Sequence, residues 1–266
     1  MKKTGITFMK NTLKKFPLIV KVYYFMLHLR QLAKNYIQHR NEVRVKYKAS
    51  RSYSQCGEDL IANYIFDNYL RISKPTYLDI GAHHPMYLSN SFLFYQKGSY
   101  GVCVEPDPDL CTTIVQKRPK DVCINAGIGF SHDKTADFYI MNEKTLNTFS
   151  KSQVEYYESR TGYRVEKRVT IPLLSVNDLI KKYFDPCPNF VTIDVEGLDI
   201  EILRSFNFET YRPEVFCVET LTYAEDKTEH KIQNIMQLMD NADYFVYGDT
   251  YINTIFVDKK AWKNRP

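Results

Sequence analysis

Residues 77–85 read Tyr77-Leu-Asp-Ile-Gly-Ala-His-His-Pro85, and the fold is decided there. Residues 76–80 are strand formers that stop at a glycine turn. A segment of helical character, 89–97, follows and ends at Gly98, a C-terminal stop signal. A second strand, 101–105, ends on Glu105 and is followed by Pro106-Asp-Pro108. A strand, a tight glycine turn, a helix and a second strand closed by a carboxylate form the opening unit of a doubly wound α/β fold.

The alternation continues outward from this unit. A helix is predicted over 109–118 and a strand over 121–124, running into Asn125-Ala-Gly-Ile-Gly129. Segments 137–141 and 166–173 form a further strand pair, and 142–164 reads as a long loop of the kind that serves as a lid or binding loop. Ser175 caps a helix over 175–183, strand 190–194 leads into helix 199–206, and strand 214–219 leads into helix 229–239. Segments 244–247 and 252–257 make a terminal antiparallel pair around Gly248-Asp249. Five parallel strands and a terminal hairpin predict the class I methyltransferase (Rossmann-like) fold, with a seven-stranded, mostly parallel sheet. Before the first strand, a turn at 51–57 leads into a helix with apolar residues at 60, 61, 64, 65 and 70, for which Ser54 is the expected cap.

Charge divides the chain in two. The net charge is +5, but residues 1–48 carry 12 Lys/Arg against one acid, Glu42 (+11), and the remainder carries 24 against 30 (−6). This predicts a basic amphipathic helical arm over residues 1–50 and a methyltransferase domain over 51–266. The apolar run 16–29 is interrupted by Pro17, Lys21 and His28 and is too short for a membrane span, which needs about 20 apolar residues. Aromatic and aliphatic residues between basic flanks fit an anionic membrane surface, with packing on the domain as the bland alternative. No nucleic-acid-binding motif accompanies the charge, and no nucleic-acid partner is expected. Six cysteines without metal spacing and no cleavable signal pattern predict a cytoplasmic protein, peripheral on the inner face of the membrane.

The strand ends carry the chemistry. Gly81 lets the backbone come close to a ligand, with Ala82 beside it, and Asp79 offers a carboxylate to an ammonium or a water network. The GxGxxG fingerprint is absent: His83 and Pro85 stand where a pyrophosphate loop needs small residues, which counts against NAD and FAD. S-adenosylmethionine has no phosphate, and its cationic groups favour nearby acids. Glu105, beside Pro106, suits both ribose hydroxyls. Asn125 is a candidate for the adenine edge, although glycine-rich turns often have structural reasons alone. Gln55 and Asp59, in the polar cluster before the first strand, are further cofactor candidates.

Ile193-Asp-Val-Glu-Gly197 closes the fourth core strand. Methyl transfer requires alignment of the nucleophile, and an alcohol acceptor must lose its proton. Asp194, Glu196 and His84 are the catalytic candidates, with helix capping as the alternative for the two acids. Glu219, Tyr156, Tyr157 and Arg160 are candidates for the acceptor, with Asn147 and Tyr163 in the same loop. Asp194, Glu196, Glu219 and a histidine could together hold a divalent cation, but no ligand spacing marks a metal site and none is expected.

Ser54-Gln-Cys-Gly-Glu-Asp59, residues 78–85 with Ser89-Asn90, Val104-Glu-Pro-Asp107, Ile193-Asp-Val-Glu-Gly197 and the tail 253–262 together resemble the FkbM-family methyltransferases. The resemblance covers about residues 50–262 and excludes the arm. Many members carry a second glycine where this chain has Pro85. The resemblance implies S-adenosylmethionine-dependent O-methylation, often of sugar hydroxyls in polysaccharide, lipid-linked glycan or natural-product pathways. A non-catalytic cofactor-binding scaffold and an N-methyltransferase are the rival readings. The Asn/Asp-Pro-Pro-Tyr signature of many amino-methylating enzymes is absent.

Overall fold

The computed structural model describes residues 17–47, 51–130, 133–160, 162–195, 197–222 and 229–266. The chain divides into two compact units, Met1–Arg51 and Ser52–Pro266.

In the first unit, α1 (Pro17–Tyr47) is a single helix of 31 residues. It does not separate apolar and basic side chains onto opposite faces, so it is not the amphipathic helix expected. The reason lies in the run 18–29: apolar residues at nearly every position must circle a helix of 3.6 residues per turn. Segregation runs along the axis instead, from an apolar N-terminal half to a basic C-terminal half. Tyr23, Tyr24, Phe25, Met26 and Leu29 are exposed. Twelve residues rise about 18 Å, well short of a hydrocarbon core of about 30 Å. No helix among the described residues is long and apolar enough to cross a membrane.

The second unit is built on a seven-stranded sheet of β1 (Tyr77–Ile80), β2 (Gly101–Val104), β3 (Val122–Ile124), β7 (Phe190–Ile193), β8 (Val215–Glu219), β9 (Tyr244–Asp249) and β10 (Asn253–Asp258). Their order is β3-β2-β1-β7-β8-β10-β9; the first five run parallel and the last two form an antiparallel hairpin. This is the class I methyltransferase fold predicted from the sequence. The five parallel strands are mostly apolar because both faces are covered. Leu78, Ile80, Val191 and Ile193 face one core with helices α6 (Val176–Tyr183), α7 (Asp199–Ser205) and α8 (Gln233–Asn241). Tyr77, Phe190, Val215 and Cys217 face the other, against α2 (Glu58–Tyr64), which continues as a π-turn to Leu70, and α3 (Phe92–Gln96). The helix α4 (Pro108–Lys117) starts as its sequence dictates: the Asp107 side chain accepts from Asp109 N–H and Pro108 takes the first turn. Ser175 caps α6 in the same way.

Segment 142–164 is not the long loop expected. Strands β5 (Thr135–Met141) and β6 (Val165–Leu174) join β4 (Gly127–Ile128) in a second, three-stranded sheet. Between β5 and β6 lie a 3-10 turn at Lys144–Leu146 and the helix α5 (Lys151–Arg160). Val154 and Tyr157, one turn apart, anchor α5 in a small core with Met141.

Candidate active site

The sheet register assembles the site. Ile80 pairs with Val104 on one side and Ile193 on the other, and Ile193 pairs with Val218. The residues that come next, Glu105, Gly81, Asp194 and Glu219, therefore stand in one row along the carboxyl edge. Strand order reverses between β1 and β7, the place where open α/β sheets bind ligands. A cavity of about 490 Å³ covers this row, and Gln55, His83 and Pro106 also line it. That volume is ordinary for a small-molecule site.

Gly81 is glycine for a reason of packing. Its φ is 81°, and a Cβ there would stand 1.8 Å from the Asp194 carbonyl oxygen. The close neighbour is thus backbone of the chain itself.

Glu105 is buried and held from both sides. His83 N–H donates to Oε2 at 2.7 Å and Asp107 N–H donates to Oε1 at 2.8 Å. Burial pushes its pKa up to about 8 against those two bonds. Each oxygen retains capacity to accept a further bond. Asp107 ties the same strand end to the 3-10 turn after β5, because its Oδ2 accepts from Lys144 Nζ at 3.2 Å and Asn147 Nδ2 at 3.1 Å.

Asp194 lines the cavity, and its pKa is pushed up to about 6 by desolvation first, then by Asp79 and Glu58. Asp199, at the start of α7, accepts from Val195 and Gly197 N–H at 3.2 Å each and so holds the turn after Asp194. Helix α7 has Leu198 at its N-cap and no side-chain cap, so the capping expected as an alternative for Asp194 is not made. Glu196 lies outside the described residues.

Asp79 is off the cavity. Strand alternation puts it on the same face as Tyr77, where it accepts from Ser91 Oγ and lies 4.0 Å from Arg118 Nη1. Arg118, fully buried, also donates to Asp121 at 2.7 Å, Tyr77 Oη at 3.1 Å and Ser91 Oγ at 2.9 Å. On the same face Asn90 Nδ2 donates to Thr192 Oγ1 at 3.0 Å. Asp79 thus braces the strand below the site.

Other expected contacts move similarly. Ala82 packs in a small core with Cys103 and Ile114. Asn125 Nδ2 donates to the Glu105 and Pro106 carbonyls at 2.9 and 2.8 Å, a brace for the β2 end. Asp59 is buried among donors from Ser52, Tyr53, Ser54 and Leu60. His84 lies away from the cavity, and its Nδ1 accepts from Met86 and Tyr87 N–H, which leaves the proton on Nε2 and no free acceptor for a base. His83 is the histidine in the cavity; burial, then His84, pushes its pKa down, so it is neutral at pH 7. Tyr157 is buried in the α5 core and Tyr156 packs beside it, so neither reaches the cavity. The Arg160 side chain lies outside the described residues.

The sequence reading assigned no site role to Glu58, and of residues 144–149 it named Asn147 alone. Glu58 Oε1 accepts from Thr250 Oγ1 at 2.6 Å and Asn253 Nδ2 at 3.1 Å. Burial pushes its pKa up, but these bonds and that from Cys56 N–H bring it below its ordinary value. The 3-10 turn and Asn147–Phe149 wall the cavity opposite the sheet edge.

The residues fit S-adenosylmethionine. Glu105 supplies two held carboxylate oxygens, and Asp194 in the cavity wall, with Glu58 behind it, gives a negative field that suits a sulfonium. An adjoining apolar slot of about 20 Å³, lined by Ala126, Gly127, Ile128, Phe149 and Leu198, is wide enough for about one water and does not admit a purine as it stands. Among the described residues no three His, Cys, Asp or Glu side chains come together as a metal site.

The chain matches the family described as Methyltransferase FkbM domain over residues 79–246, more than half its length. Comparison with curated proteins gives no match. Among solved structures it is similar to a TehB-like SAM-dependent methyltransferase from Corynebacterium glutamicum (9% identity, 86% of this chain and 100% of that chain, TM-score 0.40). It is also similar to 1,6-didemethyltoxoflavin-N1-methyltransferase from Burkholderia thailandensis (8%, 87% and 88%, 0.37) and an O-methyltransferase from Bacillus cereus (11%, 82% and 88%, 0.37). With the family match over the strand ends that build this cavity, the chain belongs to the FkbM methyltransferase family and is an S-adenosylmethionine-dependent methyltransferase.

Proposed function

We propose that the enzyme methylates a sugar hydroxyl of a polysaccharide, glycolipid or related metabolite. The observation that carries this reading is Asp194, a carboxylate in the cavity wall with a pKa of about 6. A carboxylate with a pKa near the operating pH is suited to take a proton. An alcohol is the acceptor that needs such a base, since its oxygen is a poor nucleophile while the proton remains.

The cofactor, when bound, supplies a methyl group on a sulfonium. Glu105 would hold the ribose hydroxyls within the cavity of about 490 Å³. Asp194 accepts the acceptor's hydroxyl proton as the new carbon–oxygen bond forms. Thr222, Glu219 and Glu229 line the cavity with groups that hydrogen-bond to neighbouring hydroxyls. We infer also that residues 1–48 hold the enzyme on an anionic membrane surface, which the charge of +11 and the exposed aromatic residues of α1 support.

Transfer of tritiated methyl from S-adenosylmethionine into a fractionated glycan and lipid extract of the source cells tests the reading. Label is expected in a carbohydrate-containing fraction, and Asp194→Asn lowers that rate about 10²–10⁴-fold while cofactor affinity changes only a few-fold. Label found on protein or nucleic acid, or an unchanged rate in the variant, contradicts it.

A further inference from the structure

Tyr251 lies in the turn between β9 and β10 with its ring 58% exposed, at the wall of the cavity. Its backbone is left-handed, with φ 77°, a conformation rarely adopted by bulky residues. Such an outlier persists where surrounding structure holds it, and here the bonds are explicit. Tyr251 N–H donates to Asp249 Oδ1 at 2.8 Å, and its hydroxyl donates to Glu229 Oε1 at 3.0 Å. Lys231 Nζ meets Asp249 Oδ1 at 2.9 Å, which ties the segment bearing Glu229 to the turn bearing Tyr251. Pairing of Leu221 with Lys231 and of Thr222 N–H with the His230 carbonyl at 3.0 Å fixes that segment from its other side.

The second oxygen of the same carboxylate differs. Glu229 Oε2 is buried and has no hydrogen-bond partner among the described residues. Buried carboxylate oxygens are almost always bonded, so one left open beside a cavity is an acceptor that lacks its donor.

We propose that Tyr251 and Glu229 form the acceptor subsite, and that it takes an uncharged sugar ring. This rests on the O-methylation reading above. The exposed ring offers a flat apolar face to the C–H face of a pyranose. Glu229 Oε2, itself closed to water, accepts from a ring hydroxyl once the exposed Tyr251 ring that bonds the same carboxylate shifts. An ionised carboxylate or phosphate on that sugar would meet Glu219 and Glu229, two acids of the same wall, and be repelled. The subsite therefore selects neutral hexoses over uronates.

The test uses the full-length enzyme saturated with S-adenosylhomocysteine. Saturation-transfer NMR is recorded with the methyl glycosides of mannose, galactose and rhamnose, and with methyl glucuronide. At least one neutral glycoside is expected to bind, with transfer strongest at its C–H protons, and the glucuronide at least tenfold more weakly. Tyr251→Ala and Glu229→Gln each weaken the neutral glycoside about tenfold or more, while S-adenosylhomocysteine affinity stays within threefold and reports folded protein. A glucuronide that binds equally well, or variants that bind like the wild type, overturn the subsite and leave the sugar reading standing. Silence from every glycoside, with S-adenosylhomocysteine bound, overturns both.

Discussion

Replacing Arg118 with methionine tests the assignment of Asp79 to the scaffold. Arg118 is fully buried, and its guanidinium bonds Asp121, Tyr77 and Ser91 while it faces Asp79 at 4.0 Å. The two acids are nearly as deep, with side-chain exposures of 7% for Asp79 and 1% for Asp121. Methionine fills much of the same volume and removes the charge, so both carboxylates lose their cation in a dry environment. Removing one partner of a buried ion pair costs about 3–5 kcal/mol, and three donor bonds are lost with it. Total stability is about 5–15 kcal/mol, so the loss is a large share of the whole. For a unit of this size it lowers the melting temperature by roughly 6–20 °C. Urea unfolding followed by circular dichroism measures the difference, and S-adenosylhomocysteine titration at 10 °C measures the site in protein still folded. The expected result is a loss of about 3–5 kcal/mol with cofactor affinity within threefold. A loss below about 1 kcal/mol, or a collapse of affinity in stable protein, would refute the placement of Asp79 in a bracing network.

Two further outcomes follow from the charges. Burial raises the pKa of Glu105 to about 8 in the free protein, and ribose hydroxyls donate to its ionised form. Below pH 8 the cofactor must first displace a proton, so S-adenosylhomocysteine affinity should rise up to tenfold per unit from pH 6 to 8 and level off above; Glu105→Gln flattens the profile. The arm should carry the full-length protein onto phosphatidylglycerol vesicles in co-sedimentation, and not onto phosphatidylcholine alone. Binding should fall steeply between 0.1 and 0.5 M salt and vanish on deletion of residues 1–48, since each basic residue near such a surface contributes about 1 kcal/mol.

The order of elements was legible because the relevant signals are local. Glycine turns, apolar strands of four or five residues and the Ser175 cap act over a few residues, and the structure has them where the sequence puts them, whereas the helix assigned to Ser54 has Gly57 at its N-cap. Glu105 and Asp194 were legible for a related reason: a strand end and a register place a residue without knowledge of its neighbours. Direction was harder to read. Asp79 has the same local signature as a cofactor ligand, but alternation along β1 turns it to the face of Tyr77, where Arg118 awaits it from 39 residues further on. The bonds from Thr250 and Asn253 to Glu58 span 192 and 195 residues, and no pattern in the chain announces them. Helix α5 was misread because its polar sequence lacks a continuous apolar stripe; among the described residues Val154 and Tyr157 are its buried ones, with Tyr156 packed beside them. Catalytic interest fell on His84 through its place in the motif, yet the turn consumes its Nδ1 and leaves His83 at the cavity.

We propose that one cavity binds the methyl donor through Glu105. Isothermal titration of S-adenosylhomocysteine into the wild-type protein and into Glu105→Ala tests this most directly. One molecule should bind per chain, and loss of the charged acceptor should weaken binding by about 1–3 kcal/mol in variant protein that circular dichroism shows to be folded at the titration temperature. No heat of binding in the wild type, or equal affinity in the folded variant, would contradict it.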